Sequence, residues 1–221
     1  MTPSLPPRAF PAFALAWLVL ALGLVAAPSA RAADAAQTFV QSLSDKATAI
    51  LQDKSLNADG RDQAFRVLIL NNTDLDKIAD FALGRYGQQM RDNGRYDEYK
   101  KLFRDYVVRI YAARLSTGQD QSLRITKSVP RGDTEVVVLS LLDPPKGSAG
   151  NPLEVNWRLL KEADTFKIKD VQIAGAWMAL EQQSQFQTII ANNNRDPATL
   201  IDYLQKQLKA PVPPAPDKQK G

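Results

Sequence analysis

Apolar residues along this chain first run together, then recur with a helical period, then alternate, and finally return to the helical period. Phe13 to Ala27 is a continuous apolar run centred on Leu18, Leu20, Leu22 and Leu24. From Thr38 to Asp53 the apolar positions are Phe39, Val40, Leu43, Ala47, Ile50 and Leu51, with a polar opposite face, which predicts an amphipathic helix. Asn57 is placed to cap a second helix that buries Phe65, Leu68 and Ile69. Thr73 or Asp74 caps a third, short helix with Leu75, Ile78, Ala79 and Ala82 inward. Gly84 stands at its left-handed stop. The spacing predicts a fourth helix from about Tyr96 to Leu115. Tyr99, Leu102, Phe103, Tyr106, Val107, Ile110 and Tyr111 share one broad face, Lys100, Lys101, Arg104, Asp105 and Arg109 mark the other, and Ser116-Thr117-Gly118 turns the chain out of it.

The period then shortens to two. Leu123, Ile125 and Val129 alternate with polar residues, and Glu135 to Leu142 is a denser, valine-rich run that reads as a central strand. Asp143 to Pro152, rich in proline and glycine, is a loop. Leu153, Val155, Trp157 and Leu159 alternate cleanly. After a turn at Glu162-Ala163-Asp164, Phe166 and Ile168 point one way before Val171 and Ile173, and this change of parity around Asp170 marks either a bulge or the strand's exit from one face. Four successive strands on short connections make an antiparallel sheet. Phe186, Ile189 and Ile190 then mark a helix that stops at Asn192-Asn193-Asn194. Asp196-Pro197 reads as the N-cap and first residue of a last helix carrying Leu200, Ile201, Leu204 and Leu208. The fold class is α+β: N-terminal helices, a curved four-stranded antiparallel sheet, C-terminal helices. Residues 210–221, with their prolines and lysines, read as a disordered tail.

The first apolar run carries a different message. Arg8 precedes it, and Pro28-Ser29-Ala30-Arg31-Ala32 closes it with the small-x-small pattern that signal peptidases accept. A spanning helix needs about 20 apolar residues, and the run falls short. Residues 1–32 therefore read as a signal peptide, with the mature chain starting at Ala33 and exported from the bacterial cytoplasm; the alternative reading is an uncleaved membrane anchor. No cysteine follows the run, which excludes a lipid-anchored lipoprotein.

Removing the leader takes away Arg8 and Arg31, so the mature net charge is two fewer than the +4 of the full chain. There is no dense Lys/Arg run with interleaved aromatics, which argues against a nucleic-acid partner. Cysteine and histidine are absent. That removes disulfides, thiol nucleophiles, the Ser-His-Asp relay and most transition-metal sites, and no cofactor is expected. No phosphate loop, nucleophile elbow or paired-carboxylate motif occurs. Asp74, Asp76 and Asp80 lack the glycine and closing glutamate of a calcium loop, so helix capping and solvation account for them. The aromatic stripe at Tyr99, Phe103, Tyr106 and Tyr111 reads first as core facing the sheet. A curved sheet facing such a helix also encloses an apolar cavity when the core is not filled.

Several segments resemble a known family. Phe81-Ala82-Leu83-Gly84-Arg85-Tyr86 is similar to its Leu-Gly-x-Tyr helix end, and a Tyr/Phe-rich helix follows from Tyr99 to Tyr111. Val155-Asn156-Trp157-Arg158-Leu159 and the stretch from Phe166 to Gly175 are similar to its last two strands, and Phe186-Gln187-Thr188-Ile189-Ile190 also fits. In order and spacing these resemble the MlaC family, periplasmic phospholipid-binding proteins also called toluene-tolerance or ABC-transporter auxiliary proteins. Leu51-Gln52-Asp53-Lys54-Ser55-Leu56 resembles a branch associated with hopanoids. The chain departs from the pattern at Ala174-Gly175-Ala176-Trp177, where many members have Glu-Gly-Val-Ser, and at Ser184, where an arginine often precedes the phenylalanine.

The resemblance implies a periplasmic lipid carrier, not an enzyme, with residues 33–209 as the lipid-binding domain. Its implied partners are a phospholipid or a hopanoid-type lipid, an inner-membrane ABC transporter complex with an MCE-domain subunit, and an outer-membrane lipoprotein/porin complex. In the segments that match the family, Leu83, Tyr86, Phe103, Tyr106, Trp157 and Ile173 are the candidate cavity residues; Ile110, Val138 and Trp177 join them from pattern alone. The competing readings are a protein-binding module such as a periplasmic chaperone, and a small enzyme built on carboxylates and tyrosines around Asp170. Export sets the first expected outcome. The intact mass of protein recovered from bacterial periplasm corresponds to a chain beginning at Ala33; a mass that retains residues 1–32 contradicts cleavage.

Overall fold

The structure, a computed structural model, describes residues 28–116 and 121–211. The apolar run Phe13–Ala27, the Thr117-Gly118 part of the turn and the tail from Val212 onward lie outside the described residues.

Helix α1 (Pro28–Gln52) buries Ala36, Val40 and Leu43 as one stripe, with Phe39 half-buried beside them. It passes the expected processing point without a break, and all of this buried stripe lies after Ala33. Asn57 caps α2 (Ala58–Asn72) by accepting from the Gly60 N–H at 2.8 Å. Of the two candidate caps for α3 (Leu75–Leu83), Asp74 is the one that acts, accepting from the Lys77 N–H at 3.1 Å. Gly84 ends α3 at φ +52°, a region where only glycine is unstrained. A 3₁₀ turn (Gly84–Tyr86) and a short helix α4 (Gly87–Asp92) follow. Neither was predicted, because only Tyr86 and Met90 in this stretch are large and apolar, too few to show a period; both are buried.

Helix α5 (Tyr96–Ser116) follows its predicted span. Its aromatic face corrects one expectation: it meets helices rather than the sheet. Tyr99 and Phe103 pack on Phe186 of α6 (Met178–Asn192), and the Phe103 and Phe186 rings meet edge to face at 6.1 Å. Leu83 and Met90 join them from one side, Leu200, Ile201 and Leu204 of α7 (Thr199–Lys209) from the other. The one hydroxyl in this cluster's centre is satisfied, since Tyr99 donates to the Ala79 carbonyl at 3.0 Å. Helix α7 starts two residues later than Asp196-Pro197 implied. Asp196 instead accepts from the Ala198 N–H at 2.9 Å and forms the turn before the helix. At the other end, Arg109 donates to the carbonyls of Gln207, Leu208 and Ala210, closing α7 where no glycine follows.

The sheet is an antiparallel meander in the order β1 (Ser122–Arg131), β2 (Glu135–Asp143), β3 (Leu153–Glu162), β4 (Thr165–Ile173), β5 (Ala176–Trp177). The fifth strand, two residues long, is too short for alternation to reveal. It is folded back on β4 by Ala174 (φ 50°) and Gly175 (φ 85°), a two-residue turn with both central residues left-handed. Of the two readings of the parity change in β4, the bulge is the one present: Arg158 pairs with Asp170 and Leu159 with Ile168, leaving Lys169 as the extra residue. A second bulge sits in β1 at Thr126. These registers sort the side chains. Val136, Val138, Val155, Trp157, Leu159, Phe166, Val171 and Ile173 share the face that α1 crosses; Asn156, Arg158, Asp170 and Gln172 share the other.

Two apolar clusters result, one among α3 to α7 and one between α1 and the sheet. The first is the closely packed one, and truncating its centre leaves a cavity that nothing nearby fills. Phe186→Ala is expected to lower stability by about 3–5 kcal/mol in urea unfolding; a loss below about 1 kcal/mol contradicts close packing there.

Candidate functional site

On the face that α1 crosses, the polar groups are spent on one another. The Trp157 indole N–H donates to the Ser140 hydroxyl at 3.1 Å, and that hydroxyl donates to the Val155 carbonyl. What this face offers outward is therefore hydrocarbon. Helix α1 seals part of it: Val136, Val138, Leu159 and Phe166 are buried beneath Ala36 and Val40. Leu123, Ile125, Trp157, Val171 and Ile173, on the same face, stay half-buried.

A groove of about 840 Å³ runs between α1 and β1. Its floor is Leu123 and Ile125, both packed against the cluster that holds Val138 and Trp157. Its wall is the polar side of α1, from Gln37 through Gln41, Ser42, Asp45 and Lys46 to Ala49, with Arg124 at the strand edge. Gln37 ties the wall to the sheet by donating to the Ser128 hydroxyl at 2.8 Å. A second hollow of about 310 Å³ at the α2–α3 turn is a different kind of place. Arg104 holds Asp76 there at 2.8 and 3.0 Å, and Lys77 holds Asp74 and Glu162 at 2.7 and 3.2 Å. Charges paired in this way leave little apolar surface.

The sequence candidates fall into three places. Val138, Trp157 and Ile173 lie on the α1-facing side of the sheet, with Ile173 directly across from Val155. Leu83, Tyr86 and Phe103 are buried in the helical cluster with Tyr106 packed against it, and Ile110 is half-buried further along α5. Trp177 is on the opposite side of the sheet. It pairs with Gln172, and the Arg158 guanidinium sits 4.3 Å from its ring centroid. The sheet thus separates Trp177 from Trp157. The two-residue turn at Ala174-Gly175 decides this, since it sets Trp177 opposite Gln172 rather than Ile173. Leu123, Ile125 and Val171 were visible in the alternation but were not singled out. No sequence signal marks Ser42 or Lys46 of the groove wall.

Asp170 is buried on that opposite side, where its Oδ1 accepts from the N–H groups of Val171 at 2.8 Å and Ala179 at 2.9 Å. It fixes the start of α6. Burial pushes its carboxyl above the ordinary 3.8, and the two N–H donors with the Arg158 and Lys169 charges draw it part of the way back. In the helical lobe, burial and the neighbouring Tyr106 push the Tyr203 hydroxyl up to about 12. Among the described residues, no three His, Cys, Asp or Glu side chains gather into a metal-binding group, and no helix is long and apolar enough to cross a membrane.

A meander sheet with one hydrocarbon face, crossed by a single long helix and braced by a helical cluster, defines a small α+β domain with an apolar-floored groove. The chain belongs to the MlaC protein family, which it matches over residues 41–206. Its fold is similar to that of the phospholipid-binding protein from Ralstonia solanacearum, solved in complex with a phospholipid. The TM-score is 0.66 at 22% identity, covering 79% of this chain and 97% of that one. Among curated proteins none matches the chain by sequence.

The Asp170 geometry sets a testable pH dependence. A carboxyl whose folded-state value is raised costs stability when ionised. That cost is present at neutral pH and disappears as pH falls through the raised value towards 3.8. Asp170→Asn keeps an Oδ1 acceptor for both N–H groups and removes the charge. It is expected to be more stable than the parent near pH 7 in urea unfolding, with the gap closing by about pH 4. Asp170→Ala orphans both donors and is expected to lose about 1–3 kcal/mol. An Asn variant less stable than the parent near pH 7 would mean that the Arg158 charge outweighs burial.

Proposed function

We propose that this protein is a periplasmic lipid carrier that holds the acyl chains of a phospholipid against the α1-facing side of its sheet and shuttles it between outer-membrane and inner-membrane transport complexes. The observation that carries the reading is the strip of Leu123, Ile125, Trp157, Val171 and Ile173, left half-buried on a face whose polar atoms are already satisfied. Membership of the MlaC family and the bound phospholipid of the Ralstonia solanacearum protein support it. The leader supports the periplasmic location.

The energetics of the task fit such a face. Each methylene removed from water is worth about 0.8 kcal/mol, so two acyl chains of roughly 14 methylenes resist entering water by on the order of 20 kcal/mol. A carrier must match the membrane's apolar environment, and it needs no general base or nucleophile to do so; the protein is a binder, not an enzyme. Val138, Trp157 and Ile173 are the candidates in direct reach of the chains. Leu83, Tyr86, Phe103 and Tyr106 serve as the packed helical support behind them, with Ile110 at its margin, and Trp177 braces the sheet from behind through Arg158. Helix α1, held by Phe39, Val40 and the Gln37–Ser128 hydrogen bond, is the element that moves aside to admit a chain.

Native mass spectrometry of protein taken from bacterial periplasm without detergent tests this. Adducts of phospholipid mass are expected, and a triterpenoid mass would identify a hopanoid-type ligand instead. A bare protein mass, unchanged after incubation with liposomes, contradicts the carrier reading and favours a protein-binding module. Ile173→Glu sets a carboxylate on the half-buried strip. It is expected to abolish lipid adducts while circular dichroism and the urea midpoint stay close to the parent's.

A further inference from the structure

The charged residues of the α1–β1 groove are unequally occupied. Arg124 is committed to Asp143 through two hydrogen bonds of 3.0 and 3.1 Å. Asp45 accepts from Gln41 at 2.9 Å. Lys46 meets no carboxylate among the described residues, and the Ser42 hydroxyl has no hydrogen bond among them either. Ser42, Lys46 and Ala49 lie four and three residues apart on α1, so they form one row along the groove. An unspent ammonium and an unspent hydroxyl thus stand one helical turn apart above an apolar floor.

We infer that Lys46, with Ser42 beside it, holds the phosphate of the bound lipid at the mouth of the groove, so that the site selects phosphate-bearing amphiphiles over neutral lipids. The inference rests on the carrier reading and adds to it the residues that hold the head group. A lysine suits the position because its four-carbon stem lies along apolar surface while the ammonium stays at the water boundary. A phosphate diester offers acceptors to both Nζ and the Ser42 Oγ–H, and its ion pair with Lys46 is charge-assisted. Asp45, the next residue along the wall, opposes a second negative charge there. The arrangement therefore fits a monoanionic diester better than a dianionic monoester. A neutral lipid of the same hydrocarbon content gains the floor and nothing from the rim.

The test offers both kinds of lipid at once. Lipid-free protein is incubated with phosphatidylglycerol vesicles containing a minor share of diacylglycerol with the same acyl chains, and the lipid it retains is counted by mass spectrometry. Lys46→Glu is expected to lower the ratio of phosphatidylglycerol to diacylglycerol in the protein about two- to fivefold, the range of a solvent-exposed ion pair. Lys46→Arg is expected to keep the parent's ratio, and so is Lys101→Glu, which makes the same charge change on the exposed side of α5. An unchanged ratio in Lys46→Glu overturns the inference and leaves the carrier reading standing. A parent protein that retains neither lipid overturns the carrier reading itself. Inorganic phosphate alone, titrated calorimetrically into lipid-free protein, is expected to give no saturable binding. Binding that Lys46→Glu abolishes would assign the site to a free anion and not to a lipid head.

Discussion

One face of the sheet is hydrocarbon from β1 to β4, and a single helix lies across it. Everything else in the fold follows from how that face is covered and how far. Helix α1 supplies a narrow stripe, Ala36, Val40 and Leu43, whose two smallest members let it sit low on Val136 and Val138. A stripe that narrow does not fully cover Leu123 and Ile125 on one side or Val171 and Ile173 on the other. Those residues stay half-buried because no broader element covers them, and the groove along β1 is the gap that remains. An under-covered apolar face costs stability, so the molecule needs another source of it. The helical cluster around Phe103 and Phe186 supplies that source, with fully buried aromatic rings and its central hydroxyl paired. The closely packed layer and the under-covered face are thereby different parts of the molecule, and the proposed site lies on the second.

The two edges of the sheet are treated differently. At β4 the outer edge is closed by β5, and by Thr73, which bridges to Ile168 and docks the α2–α3 turn against the strand. Asp170 then pins the first turn of α6 over the face turned away from α1. At β1 no strand or helix pairs with the outer edge among the described residues. That edge is protected from strand addition in other ways, by the bulge at Thr126, by Lys127 and by Pro130. An edge defended by sequence rather than by a covering element leaves the neighbouring groove accessible, which suits a passage for a lipid chain.

Much of this was legible in the chain itself, for reasons that can be named. Long periodic segments gave α1, α2, α3 and α5, and Asn57 and Gly84 could be assigned because caps and left-handed stops have few solutions. The alternation in β3 showed the sheet faces, and the parity change at Asp170 showed that β4 was irregular; only the register makes it a bulge at Lys169. What failed was short-range or three-dimensional. Helix α4 and strand β5 are shorter than the period that would reveal them. The aromatic face of α5 carries no mark of whether helices or a sheet will meet it, and it meets helices. The candidate site inherits that ambiguity. Trp157, Ile173, Leu83 and Phe103 came from segments that resemble the family and Val138 from pattern alone; strand register sets Val138, Trp157 and Ile173 on one sheet face, and Leu83 and Phe103 pack among the helices. Trp177 was lost to the other face by a two-residue turn whose effect is a matter of counting.

The groove wall shows why polar residues matter in a site whose main work is done by hydrocarbon. In the proposed site the floor and the strip behind it would supply the large, non-directional part of the binding free energy, which is roughly proportional to apolar area and nearly blind to head groups. Specificity must then come from small differences at the water boundary, where one ion pair is worth little in absolute terms. That weakness is useful in a carrier. A head group buried among strong donors would bind tightly and leave slowly, since affinity differences appear mostly in the rate of release. In the proposed site, a lysine and a hydroxyl at an open rim would distinguish a phosphate from a neutral lipid while both stay exchangeable with water. The Arg124–Asp143 pair keeps the other cation of the groove from competing for the same head group.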